Sequence, residues 1–181
     1  MRSRATVGLT AFACAAIAAG GFSAASTAQI PAPSGGSSGG GRAYVDPNGK
    51  AVAPANAPKR VRKAINAGNR IRKKPYIYGG GHRNFKRSKG YDCSGAVSYV
   101  LHAAGVLKRP MPSGPMARWG VRGRGDWITV YANRGHAFVV VAGLRFDTSS
   151  AGERRDQGKG PRWRFNGRSG KGFKKRSHPK L

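Results

Sequence analysis

The stretch "HAFVVVAGLRFDTS" at 136–149 constrains the fold most tightly. Ala137 to Ala142 is an unbroken apolar run rich in valine, which reads as a strand buried on both faces. A strand without a polar face has to lie inside a sheet. "DWITVYA" (126–132) before it and "LRFDTS" (144–149) behind it are β-branched and aromatic, with a turn at Ala142-Gly143. An antiparallel meander is expected.

Upstream the period changes. Cys93, Val97, Val100, Leu101 and Ala104 follow the i, i+4, i+7, i+8, i+11 stripe of a helix with one buried face. Asp92 is typed for its N-cap, with the carboxylate accepting from a backbone N–H near Gly95, and Gly105 closes the helix. A second amphipathic helix is predicted over 59–71, burying Val61, Ala64, Ile65, Gly68 and Ile71. Between the two, "KKPYIYGGGHRNFKRSKG" reads as a glycine-rich loop. The fold class is α+β, helices packed on a small antiparallel sheet with Cys93 in the first helical turn.

The ends of the chain read differently. Residues 1–28 have the positive start, apolar middle and small-residue end of a signal peptide, with the mature chain beginning near Gln29. A membrane anchor is disfavoured because Val7 to Phe22 is rich in alanine and glycine and short of the ~20 strongly apolar residues of a span. Lipidation of Cys14 is a weaker alternative. Residues 29–58 are rich in Pro, Gly, Ser and Ala and read as a flexible tether, because so few large apolar groups cannot offset ordering entropy. About 120 residues remain, enough for one core: a folded domain over 59–170 and a basic tail over 171–181.

The net charge of +28, from 34 Lys+Arg against 6 Asp+Glu, concentrates polyanions. Nucleic acid is the usual partner of such a composition. Export argues against it, and no nucleic-acid-binding motif is present. Anionic wall polymers and acidic peptides are the polyanions available outside a cell, so a secreted, wall-associated monomer is expected.

The position of Cys93 allows two readings. Cysteine is a common, inert core residue. At a helix start, however, unpaired N–H groups and the helix dipole stabilise a thiolate. His136 opens the central strand. If the 136–141 and 144–149 hairpin has an even loop, Asp147 falls on the same face as His136; an odd loop separates them. In the even case Cys93, His136 and Asp147 are nucleophile, base and orienter.

"YDCSGAVSYVLHAAG", preceded by "PYIYGG" and followed by "GHAFVVVAGLRFDTS", resembles the NlpC family of secreted bacterial cysteine peptidases. The likeness covers roughly 60–150 and implies a papain-like fold that cleaves peptidoglycan stem peptides, commonly at the D-γ-glutamyl-diamino acid bond. It assigns the nucleophile to Cys93, the base to His136 and the orienter to Asp147, where family members usually carry His or another polar residue. The loop from Gly80 to Asp92 is longer and more basic than the family pattern. The resemblance also places Tyr76 beside the cysteine as an oxyanion or substrate group, a packed loop aromatic being the alternative. The backbone N–H groups of Cys93 and Ser94 would receive the oxyanion.

His82 reads as a solvated loop residue or a substrate contact, His102 as structural and His178 as part of the tail. No paired Cys/His spacing is present, so neither metal nor cofactor is expected. The competing readings are a non-catalytic wall-binding module, and amidase or acyl-transfer chemistry on the same thiol.

Overall fold

The computed structural model describes residues 41–85, 87–151, 160–164, 167–179 and 181. The leader, the Cys14 lipidation site and the first part of the tether lie outside the described residues. In chain order the elements are β1 (Tyr44–Val45), β2 (Ala51–Val52), α1 (Lys59–Ile71), α2 (Cys93–Ala103), α3 (Ser113–Met116), β3 (Val121–Arg122), β4 (Ile128–Ala132), β5 (Ala137–Val141), β6 (Leu144–Asp147), β7 (Arg162–Arg164) and β8 (Lys174–Ser177).

β1 and β2 form a small hairpin, and the other six strands form one sheet in the order β3-β8-β4-β5-β6-β7. Every pairing between these strands is antiparallel. The fold is α+β, as the sequence predicts. The unbroken apolar strand β5 lies between β4 and β6, and α2 packs against β5 and β6 while α1 packs against α2 and β7. Phe138, Val139 and Val141 are buried on it without a solvent face.

The meander turns in two residues. Ala142 (φ 47) and Gly143 (φ 83) both take positive φ, the conformation of the hairpin turn whose twist matches the flanking strands. Glycine carries this readily and alanine at a cost. The loop is therefore even, the condition on which the face shared by His136 and Asp147 depends.

Two boundaries differ from the sequence expectation. Residues 41–58, read as part of a tether, hold the β1–β2 hairpin and bury Ala43, Ala51 and Ala57. Composition misleads here because alanine is small enough to pack where no large side chain fits. The hairpin's exposed edge is also satisfied by a side chain: Asn69 on α1 accepts from the Ala51 N–H at 2.9 Å and donates to the Ala51 carbonyl at 2.9 Å. The same Asn69 oxygen accepts from Trp163 Nε1 at 2.8 Å, joining the hairpin, α1 and β7. Trp163 lies so close to α1 that a Cβ on Gly68 would sit 2.4 Å from its ring.

The second difference is at the other end. Residues 174–177, read as tail, form β8, which is inserted between β3 and β4. Pairing with β4 satisfies its backbone while the lysines keep their ammonium groups in water.

Candidate functional site

Cys93 is the first residue of α2 and is partly buried. Asp92 caps the helix as expected, its Oδ1 accepting from the Gly95 N–H at 2.7 Å. Its Oδ2 accepts from the Gly79 N–H at 3.1 Å, which lays the glycine loop across the helix start. The fit is close: a Cβ on Gly95 would stand 2.0 Å from the Gly80 carbonyl oxygen.

His136 sits just before β5. Its own backbone N–H donates to Asn133 Oδ1 at 2.9 Å, and the Gly135 N–H donates to the same oxygen at 3.0 Å, so the β4–β5 turn sets where the imidazole begins. Asp147 ends β6. With Val139 opposite Phe146, the register puts Asp147 diagonal to His136 on one face. His136 Nε2 is 2.8 Å from Asp147 Oδ1, which also accepts from the Ser149 N–H at 3.0 Å. Nδ1 is then the ring nitrogen left for sulfur, and His136 and the Ala137 N–H are the groups that act electrostatically to favour a Cys93 thiolate.

These contacts set the electrostatics. Burial pushes the Cys93 thiol up, but the hydrogen bonds from His136 and Ala137 and the nearby His136 charge outweigh it, with a net lowering. For His136, burial favours the neutral ring, and the hydrogen bonds and negative charges of Asp147 and Cys93 reverse this, raising its pKa to about 9. The imidazolium thus persists to about pH 9, and it favours the thiolate form of Cys93 relative to an ordinary cysteine.

Asp147 is fully buried and has more partners than the sequence reading foresaw. Arg168 Nη1 lies 3.3 Å and Arg145 Nε 3.6 Å from its Oδ2, and its carbonyl accepts from Arg164 Nε at 3.4 Å. Arg145 and Arg164 are themselves buried and stand opposite each other across β6 and β7. The Arg168 guanidinium also lies 5.4 Å from the centre of the Phe138 ring and 5.2 Å from that of Phe173, and both rings flank His136. No periodicity marks Arg168, since it lies in the stretch "NGRSGKG".

Tyr76 bridges to Tyr91 and is 39% exposed. Burial, and then the Cys93 and Asp92 charges, hold its phenol above the ordinary value, which places it in the field of the thiolate. Ser94 is buried with its hydroxyl committed to Asp92 Oδ1 at 3.2 Å. Its backbone N–H, like that of Cys93, lies in the first turn, which the helix's own ladder leaves unpaired. His82 is not simply solvated: its Nε2 is 3.1 Å from Asp92 Oδ1 and 3.2 Å from Ser94 Oγ, tying the loop to the helix cap. His102 stacks on Phe85 at 4.1 Å and pairs through Nδ1 with the Leu107 carbonyl, the structural role expected of it.

No protein-family model and no curated protein matches the chain. Solved structures do. The peptidoglycan hydrolase RipB from Mycobacterium tuberculosis is 22% identical, with 69% of this chain and 68% of that chain covered and a TM-score of 0.47. An NlpC/p60 family protein from Bacillus cereus is 20% identical over 69% of this chain and 41% of its own, with a TM-score of 0.49. RipD from Mycobacterium tuberculosis, a non-catalytic NlpC/p60 domain protein adapted to peptidoglycan binding, is 21% identical over 67% of this chain and 98% of its own, with a TM-score of 0.45. Two of these three similar structures, the Bacillus cereus protein and RipD, are NlpC/p60 proteins.

Proposed function

We propose that the protein is a secreted, wall-associated cysteine peptidase of the NlpC/p60 type that hydrolyses an amide bond in peptidoglycan stem peptides, the D-γ-glutamyl-diamino acid bond being the first candidate. The observation that carries this reading is a cysteine at a helix start, Cys93, electrostatically coupled to a histidine that Asp147 holds at 2.8 Å.

The Cys93 thiolate attacks the amide carbonyl, and the oxyanion is received by the Cys93 and Ser94 N–H groups, with the Tyr76 phenol nearby and protonated. As the C–N bond breaks, the His136 imidazolium gives its proton to the departing amine nitrogen, leaving a thioester and a neutral ring. His136 then takes a proton from water, the hydroxide adds to the thioester, and the C–S bond breaks to release the acid and restore the thiolate–imidazolium pair. Asp147 holds the ring in the required orientation throughout.

A binding module without activity has no need of a low-pKa thiol beside an oriented histidine, and for that reason hydrolysis is preferred. Purified protein incubated with muropeptides should yield products with a new free amine on the diamino acid, detected by mass analysis. Intact muropeptides would favour the binding module, and acyl transfer to an added amine would favour the transferase.

A further inference from the structure

A groove of about 970 Å³ lies beside the site, between α3, the β4–β5 turn and the β3–β8 edge of the sheet. Six of its lining residues are cationic: Arg118, Arg122, Arg134, Lys174, Lys175 and Arg176. None of the described lining residues is Asp or Glu, so these charges are not neutralised within the groove. They come from separate segments that hydrogen bonds hold together. Arg176 Nε donates to the Ala117 carbonyl at 2.7 Å, Ser113 Oγ to the Arg134 carbonyl at 3.1 Å, and Asn133 Nδ2 to the Gly172 carbonyl at 3.2 Å. The groove is thus built by tertiary contacts rather than by one mobile basic run.

The groove adjoins two residues that contact His136. Asn133, which accepts from the His136 N–H, lines it, and so does Phe173, whose ring lies edge-on to His136 at 6.2 Å. A ligand in the groove therefore lies next to both of these residues. Six cations call for a ligand with many closely spaced charges, more than the one or two free carboxylates of a stem peptide. Four of the six are guanidinium groups, which pair with phosphate oxygens in a fork. Phe173 is the only aromatic ring among the described lining residues and is already packed on His136 and Phe138, so stacking of nucleic-acid bases has no platform there.

We propose that this groove binds an extended polyol phosphate chain, a phosphodiester polymer without bases, so that the protein acts on wall material carrying such a polymer beside the peptide to be cut. The proposal rests on the wall-directed reading above and specifies its substrate. Binding is measured with polyglycerol phosphate as the probe, against poly-glutamate and duplex DNA of matched charge, on the full chain. Arg122→Glu with Lys175→Glu should weaken polyglycerol phosphate binding about tenfold or more and flatten its salt dependence. Lys63→Glu with Lys108→Glu, an equal charge change outside the groove, should leave most of it. If strand substitutions unfold the protein, Arg118→Glu with Arg134→Glu repeats the comparison in the α3–β3 and β4–β5 connections. Equal losses in groove and control pairs would overturn the proposal in favour of a diffuse field. Binding of poly-glutamate or DNA as tight as that of polyglycerol phosphate would overturn it also. This readout needs no cleavage, whereas the hydrolase reading is judged separately on short soluble muropeptides, which the groove variants should still cut.

Discussion

His136 Nε2 and Asp147 Oδ1 lie 2.8 Å apart, on a carboxylate that is wholly buried and shared with Arg168 and Arg145. Asp147 thus serves two demands, orienting the imidazole and neutralising guanidinium charge inside the sheet.

Asp147→Asn keeps the shape and removes the charge. Turnover should fall about a hundredfold with KM nearly unchanged, because imidazole orientation is lost and not substrate contact. The same variant should lose about 3 kcal/mol of stability, since breaking a buried ion pair leaves the arginines uncompensated. Steady-state kinetics and denaturant unfolding check the two effects independently. An active, fully stable variant would assign the orienting role elsewhere.

Cys93→Ala should abolish cleavage and leave the fold intact, because the sulfur lies at the end of the buried stripe and is only partly enclosed. In the unsubstituted protein, iodoacetamide should alkylate Cys93 at a pH below that of an ordinary thiol, and His136→Ala should move this profile upward. Hydrolysis should rise with thiolate formation and decline as His136 loses its proton near pH 9. The stabilising effect of protonated His136 is full below its unfolded value of 6.5 and is lost as pH climbs through about 9, so thermal stability should fall over that interval.

Arg168 touches Asp147 and two of the rings around His136, which makes it a positioning residue. Arg168→Gln should reduce kcat about threefold to tenfold at constant KM. Removing this cation leaves more of the Asp147 charge to the imidazolium, so the alkaline limb of the pH profile should shift upward. Arg168→Lys should restore the limb's position and part of the rate. A purely structural role would lower stability without moving the limb.

Asn69→Ala should cost about 2 kcal/mol, since it strands both polar backbone groups of Ala51 and the Trp163 indole N–H together. Hydrogen exchange should quicken first in the β1–β2 hairpin. Unaltered protection there would show that packing of Ala43 and Ala51 suffices to hold it.

Short-range physics was legible in the chain. The helix beginning at Cys93, its Asp92 cap and the buried strand from Ala137 each follow from periodicity, capping chemistry or an apolar run within a few residues. Those signals placed Cys93 at a helix start and His136 at the opening of a strand, and the resemblance to the NlpC family assigned the two their roles. Whether Asp147 joined them turned on the parity of one loop, and the two-residue turn at Ala142-Gly143 decided it through its backbone conformation. Tertiary structure alone determined the rest. Asn69 meets Ala51 and Trp163, Arg168 meets Asp147, and β8 enters the sheet because groups far apart in sequence satisfy one another's hydrogen bonds and charges. Such pairings leave no period in the chain, since their free energy exists only when both partners have been brought together.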